Sequence, residues 1–217
     1  MKSENLNGKN FCNLALYAFA GAGLEILLLI IEQMIYSKNF SQWNSIQQCT
    51  HLFLTSIAWG TIIFSLLLIS KNKYDFNISN LREPPPIDNW KFVILISIIS
   101  IAITTILWGG VKPIKELQSN GFILWVFQNI YYCFESGIIL LIIIFGQKYG
   151  EIRFKQENML YGGIFLSLSW GLVHILTQGF ATGIFTIIMS IVYGLIYLLL
   201  NKNINFTYLI ISIIFIL

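Results

Sequence analysis

Six apolar runs constrain this chain more than any other feature. They cover residues 14–36, 51–70, 92–108, 122–145, 160–178 and 181–200, and a bilayer span needs about 20 mostly apolar residues. A seventh run, 206–217, stops after 12 residues and reads as a short span, a partly inserted end or a truncated helix. Hydrophobic residues make up 56% of the 217 positions and charged residues only 11%. A soluble domain carries about twice that share of charge. The runs do not alternate apolar and polar side chains as barrel strands do; Ile139-Leu-Leu-Ile-Ile-Ile-Phe145 is an example. The expected fold is therefore an all-α integral membrane protein, a polytopic bundle of six transmembrane helices with a short seventh, because helices satisfy the backbone inside lipid.

The chain reads as one membrane domain over 1–217. Residues 1–70 form a front helix pair, 71–91 a connector, and 92–217 a helical core. The connector contains Arg82-Glu-Pro-Pro-Pro-Ile-Asp88, and three successive prolines favour an extended spacer. The first span carries Glu25 and Glu32, which are foreign to the apolar core of a cleaved signal peptide, so it is expected to be retained. Ten of the thirteen Lys and Arg residues (2, 9, 71, 73, 82, 91, 148, 153, 155 and 202) share one side in this topology. Lys38, Lys112 and Lys115 take the other. The positive-inside bias puts the N-terminus in the cytoplasm, with the plasma membrane as the expected location. The net charge of +3 belongs to that loop bias and does not call for nucleic acid. Cys12, Cys49 and Cys133 are scattered and odd in number, a packing pattern and not a disulfide framework. The lipid bilayer is the one partner that composition demands.

Ionisable residues inside the spans are the candidates for chemistry, because a charge near the bilayer centre is costly and usually has a task or a buried partner. Glu135 lies in Tyr131-Tyr-Cys-Phe-Glu135, and His174 closes Trp170-Gly-Leu-Val-His174. With a rise of about 1.5 Å per residue, Glu135 falls ~15 Å, His174 ~21 Å and Glu25 ~16 Å from the cytoplasmic end. All three can share one layer, with Glu135 and His174 as mutual partners across spans four and five. Gln128 and Glu135 lie on one helix stripe, as do Glu25 and Glu32. Tyr131 stands one turn from Glu135, within bonding reach of it. His51 sits at an interface and reads as non-catalytic.

At these residues the stretch 122–217 resembles the CAAX prenyl protease and bacteriocin-processing (CPBP) family of intramembrane metalloproteases. That family carries Glu-Glu-x-x-x-Arg on one helix, Phe-x-x-x-His on a later one, and a final His-x-x-x-Asn. Phe134-Glu135 stands at the first motif, Trp170-Gly-Leu-Val-His174 at the second, and Tyr193-Gly-Leu-Ile-Tyr197 where the last would fall. Ser136 replaces the second Glu, Leu140 the Arg, and Tyr193 and Tyr197 the residues of the last motif.

The resemblance implies a peptidase-like site with Glu135 and His174 as catalytic residues and Trp170 and Gly194, from the motif stretches, in support; Tyr131 and Glu25 join as supporting candidates by their spacing and depth beside Glu135. Where such a site is active, it implies a divalent metal such as zinc. A catalytic metal wants about three protein ligands and an open position; the two motifs supply two, and Glu25 would be a third. Two further readings remain. One is a non-catalytic membrane partner or immunity-type protein of the same fold, acting on a peptide or a membrane protein. The other is a small transporter component using Glu25, Glu135 and His174.

Overall fold

The computed structural model describes residues 7–217. Among them there are no strands; the chain is built from α1 (Gly8–Ala22), α2 (Leu24–Tyr36), α3 (Ser45–Tyr74), α4 (Ile87–Leu107), α5 (Lys112–Phe154), α6 (Tyr161–Leu166), α7 (Leu172–Gln178), α8 (Phe180–Leu199) and α9 (Ile204–Ile216). A π-helical turn, Ser167–Gly171, joins α6 to α7. Five helices are long and apolar enough to cross a membrane: Gly8–Tyr36, Ser45–Tyr74, α4, α5 and α8. The run expected as span five (160–178) is one helical path cut into three pieces by the π turn, so among the described residues five helices, and not the expected six, meet the length of a span as unbroken elements. Helix α9 is shorter than a full span.

Local chemistry sets the ends. Asn44 and Gln47 form a reciprocal capping box that starts α3, satisfying amides that have no partner inside the helix. Asn7 caps α1 and Asn203 caps α9 through side-chain oxygens. Pro113 opens α5, where its missing N–H costs nothing. Gly121, at φ 76°, breaks α5 into residues 112–120 and 122–154. Gly179, at φ 91°, turns α7 into α8. Both conformations are strained for residues with a Cβ.

Helix α5 is the axis of the bundle. The most apolar window of α5 is 67% buried, against 17% for α4, whose apolar side chains face outward. Lipid is the environment that such outward-facing side chains require. Helices α1, α3, α6 and α9 pack directly on α5. Every side chain from Ile138 to Phe145 is buried and apolar. Helices α6 and α8 meet at Gly163 and Gly194, where a Cβ on Gly194 would stand 2.4 Å from Gly163 Cα. Gly194 therefore serves helix contact, the use that small residues have in membrane bundles.

The connector is not a free spacer. Asn203 Nδ2 donates to the Glu83 carbonyl at 2.8 Å, and Asn201 Nδ2 to the Glu83 carboxylate at 3.1 Å. The amide of Ile204 donates to the Leu81 carbonyl at 2.8 Å, and Asn89 Nδ2 to the Leu199 carbonyl at 2.7 Å. Proline keeps the strap extended, and these bonds fasten it to the α8–α9 turn.

Five of the ten basic residues assigned to one side border two surface clefts. Lys9, Arg153 and Lys155 border one surface cleft, and Lys148 and Lys202 another beside the strap. Lys2 lies outside the described residues. Glu151 is paired with Lys202 at 2.6 Å and Lys148 at 3.5 Å.

Candidate functional site

A cavity of about 410 Å³ opens among α2, α3, α4, α5, α7, α8 and α9. Glu25, Glu135, His174, Trp170 and Tyr131 all border it. Gly194 does not; its neighbour Tyr193 does. The sequence-derived candidates from three separate helical segments thus converge on one chamber, whose size is that of an ordinary ligand pocket.

Their bonding differs from the pairing expected. Glu135 is 6% exposed, yet among the described residues no hydrogen bond to its carboxylate is found. The Tyr131 hydroxyl donates to Glu25 Oε1 at 2.8 Å, and not to Glu135. One turn of helix puts Tyr131 near Glu135 in sequence, but its ring leans towards α2, against Trp59 with centroids 4.7 Å apart. His174 and Glu135 share the chamber without touching. His174 Nδ1 lies 2.8 Å from the Trp170 carbonyl. A carbonyl only accepts, so Nδ1 is the donor, and Nε2 of a neutral ring is left as an acceptor. The bond closes the turn that follows the π helix, a distortion often found at functional sites. Ser167 Oγ ties that turn to α8 by donating to the Ile187 carbonyl at 3.2 Å.

A second polar group, not singled out from the sequence, lies at the Lys112 end of the cavity. Lys112 is 7% exposed; its Nζ donates to the Phe215 carbonyl at 2.8 Å and sits 4.0 Å from the Tyr132 ring centroid. Tyr132 donates to Glu116 Oε1 at 2.6 Å, and Gln128 Nε2 donates to the Tyr132 oxygen at 2.7 Å. Glu116 Oε2 is buried with no partner found. Residues 112–120 precede the apolar run and resemble a loop, yet Pro113 at a helix start and Lys112 four residues before Glu116 were the available signals.

A third group pairs Glu32 with His51. His51 Nδ1 and Glu32 Oε2 are 2.5 Å apart, with side chains 5% and 6% exposed. The imidazole is edge-on to Phe40 and Trp43 and borders the cavity. The residue set aside as interfacial is a buried, oriented histidine.

A bound catalytic metal would need about three such donors together. Among the described residues, no three or more His, Cys, Asp or Glu side chains come close enough to hold one. The donor set does not fit the zinc-type site that the resemblance implies, and no chemical step here is routed through a metal. The three cysteines are free thiols. Comparison with protein families, with curated proteins and with solved structures finds no match.

Proposed function

We propose that this chain is a divergent intramembrane protein of CPBP, or CAAX-protease-like, architecture whose cavity receives a peptide segment of a membrane-bound partner and holds it without metal-dependent cleavage. One observation carries the reading: Glu135 on α5 and His174 on the next long helical path, the positions of two family motifs, border the same buried chamber. The chamber offers what an extended peptide needs. Glu135 supplies a carboxylate acceptor, His174 Nε2 a second acceptor, and Tyr193 a hydroxyl, beside apolar walls such as Leu166, Phe185 and Ile214. Buried peptide groups demand such partners.

The non-cleaving form of this reading is favoured by the donor set, in which Glu135 and His174 lack a third ligand. Residues 161–178 make the sixth crossing in this proposal, at ~27 Å for 18 residues. The N-terminus and the proline strap face the cytoplasm of the plasma membrane, supported by the clustering of Lys9, Lys148, Arg153, Lys155 and Lys202 at the strap end.

The test uses a fluorescent farnesylated pentapeptide with purified protein in detergent. Saturable binding, weakened by the cavity-filling Thr186→Trp, with the peptide recovered intact by mass spectrometry, is the expected result. Binding indifferent to Thr186→Trp would remove the cavity from the account. Cleavage that disappears in Glu135→Gln would make the protein an active peptidase.

A further inference from the structure

The cavity is rich in carboxylates and poor in cations. Glu25 and Glu135 border it, and Glu116 stands directly behind Tyr132. Lys112 is the one lysine among the residues lining it. His51 is already tied to Glu32 and His174 to a carbonyl through Nδ1.

Glu135 is the focal group. It is more than nine-tenths buried, borders the chamber, and receives no hydrogen bond among the described residues. The hydrogen bonds that neighbouring donors are seen to make go to other acceptors, and Lys112 reaches Glu135 through its charge alone. Tyr131 serves Glu25, Tyr132 serves Glu116, Lys112 serves the Phe215 carbonyl, and Thr186 and Ser190 bond backbone carbonyls one turn back. A carboxylate so placed is satisfied by whatever enters, and a charged donor satisfies it best.

The walls suit a cation. Trp108, Trp170, Tyr132 and Tyr193 present aromatic surface to the chamber, and aromatic faces attract ammonium and guanidinium groups. The protein already holds one cation in this way. Lys112 Nζ lies 4.0 Å from the Tyr132 centroid, 5.1 Å from Phe215 and 5.7 Å from Trp108. An anionic ligand would meet two carboxylates at the wall and is disfavoured.

We infer that the cavity recognises a basic side chain, a lysine ammonium or an arginine guanidinium, on the peptide segment it receives, with Glu135 as its principal acceptor and Glu25 as the second. This rests on the peptide-binding reading above. Two farnesylated fluorescent pentapeptides, identical except for lysine or norleucine at one position, separate the two ideas. With wild-type protein the lysine peptide should bind about tenfold to a hundredfold more tightly, the factor carried by one charge-assisted hydrogen bond. Glu135→Gln should erase that preference, read as the ratio of lysine-peptide to norleucine-peptide affinity, and Glu25→Gln should reduce it.

Equal affinity of both peptides for wild-type protein would mean that the carboxylates are satisfied by protons, and the inference would fail while peptide binding stood. If neither peptide bound, the peptide reading would fail and this one with it. The wild-type comparison needs no variant, so it decides the matter even if Glu135→Gln does not fold.

Discussion

Breaking the Glu32–His51 pair should be the most damaging single change among the cavity's polar residues. The two side chains are 5% and 6% exposed and 2.5 Å apart, so solvent screens them little. Glu32 Oε1 already lacks a partner. His51→Ala strands the carboxylate completely, and removing one member of a buried pair costs about 3–5 kcal/mol. Glu32→Ala removes the acidic partner itself, so its cost is nearer the loss of one charged hydrogen bond, about 1.5–3 kcal/mol. The double variant strands neither group and should fall short of the sum by about 1–3 kcal/mol. A chain of this size loses about 2–4 °C of Tm per kcal/mol, so His51→Ala alone should lower the melting midpoint by about 6–20 °C. Thermal melts of the four proteins in one detergent complete the cycle. Additivity within about 0.5 kcal/mol would mean that the pair does not interact energetically, and the reasoning from burial would be refuted. The same cycle on Glu135 and His174 should be close to additive, since the two share a cavity without a bond.

Gly194→Ala should destabilise the bundle by about 1–3 kcal/mol, because its Cβ would meet Gly163 backbone atoms at 2.4–2.5 Å; an unchanged melt would show that α6 and α8 are not so close. Tyr131→Phe removes the 2.8 Å bond to Glu25 and should cost about 1.5–3 kcal/mol, a loss that Glu25→Gln should partly suppress in a melt of the double variant. Ser79→Cys, on a background without native cysteines, should resist an impermeant thiol reagent in intact cells and react in inverted vesicles. The reverse pattern would overturn the proposed orientation.

Much of this arrangement was legible in the sequence because membrane burial is a local signal. A glutamate in Tyr131-Tyr-Cys-Phe-Glu135 and a histidine after Trp170 stand out against apolar neighbours, and depth counting put both at the level of Glu25. What the sequence did not disclose was direction. Helical spacing places Tyr131 beside Glu135, but whether its hydroxyl turns to α5 or α2 depends on Trp59, which arrives from α3 and occupies the space beside it. The clamp on the proline strap was hidden for another reason: Asn89, Asn201 and Asn203 reach partners 110 to 120 positions away. Lys112 and Glu116 escaped notice because they precede the apolar run, and only the structure shows that residues 112–120 form a helix, ended at Gly121, that brings Lys112 to the cavity wall.

The distribution of polarity along α5 bears on what kind of protein this is. From Lys112 to Glu135, across the break at Gly121, α5 supplies Glu116, Gln128 and Tyr132 to one hydrogen-bonded group and Tyr131 to the bond with Glu25. From Ile138 to Phe145 it supplies eight consecutive buried apolar side chains, a plug of ~12 Å by helical rise. Beyond the plug, Gln147 Nε2 donates to the carbonyl of Met159 while its Oε1 accepts from the amide of Gly162. The Glu151–Lys202 pair covers the same end. A carrier would have to part these elements to expose the cavity to both faces, yet Gly146, Gly150 and Gly194 sit so close to Phe165, Tyr161 and Gly163 that added Cβ atoms would fall within 2.7 Å. The Gly194 contact is backbone to backbone, and helices meshed at that distance resist separation more than helices meeting through flexible side chains. A meshed floor below the cavity opposes its exposure to both faces, and this is the physical ground for preferring a peptide-holding function to transport.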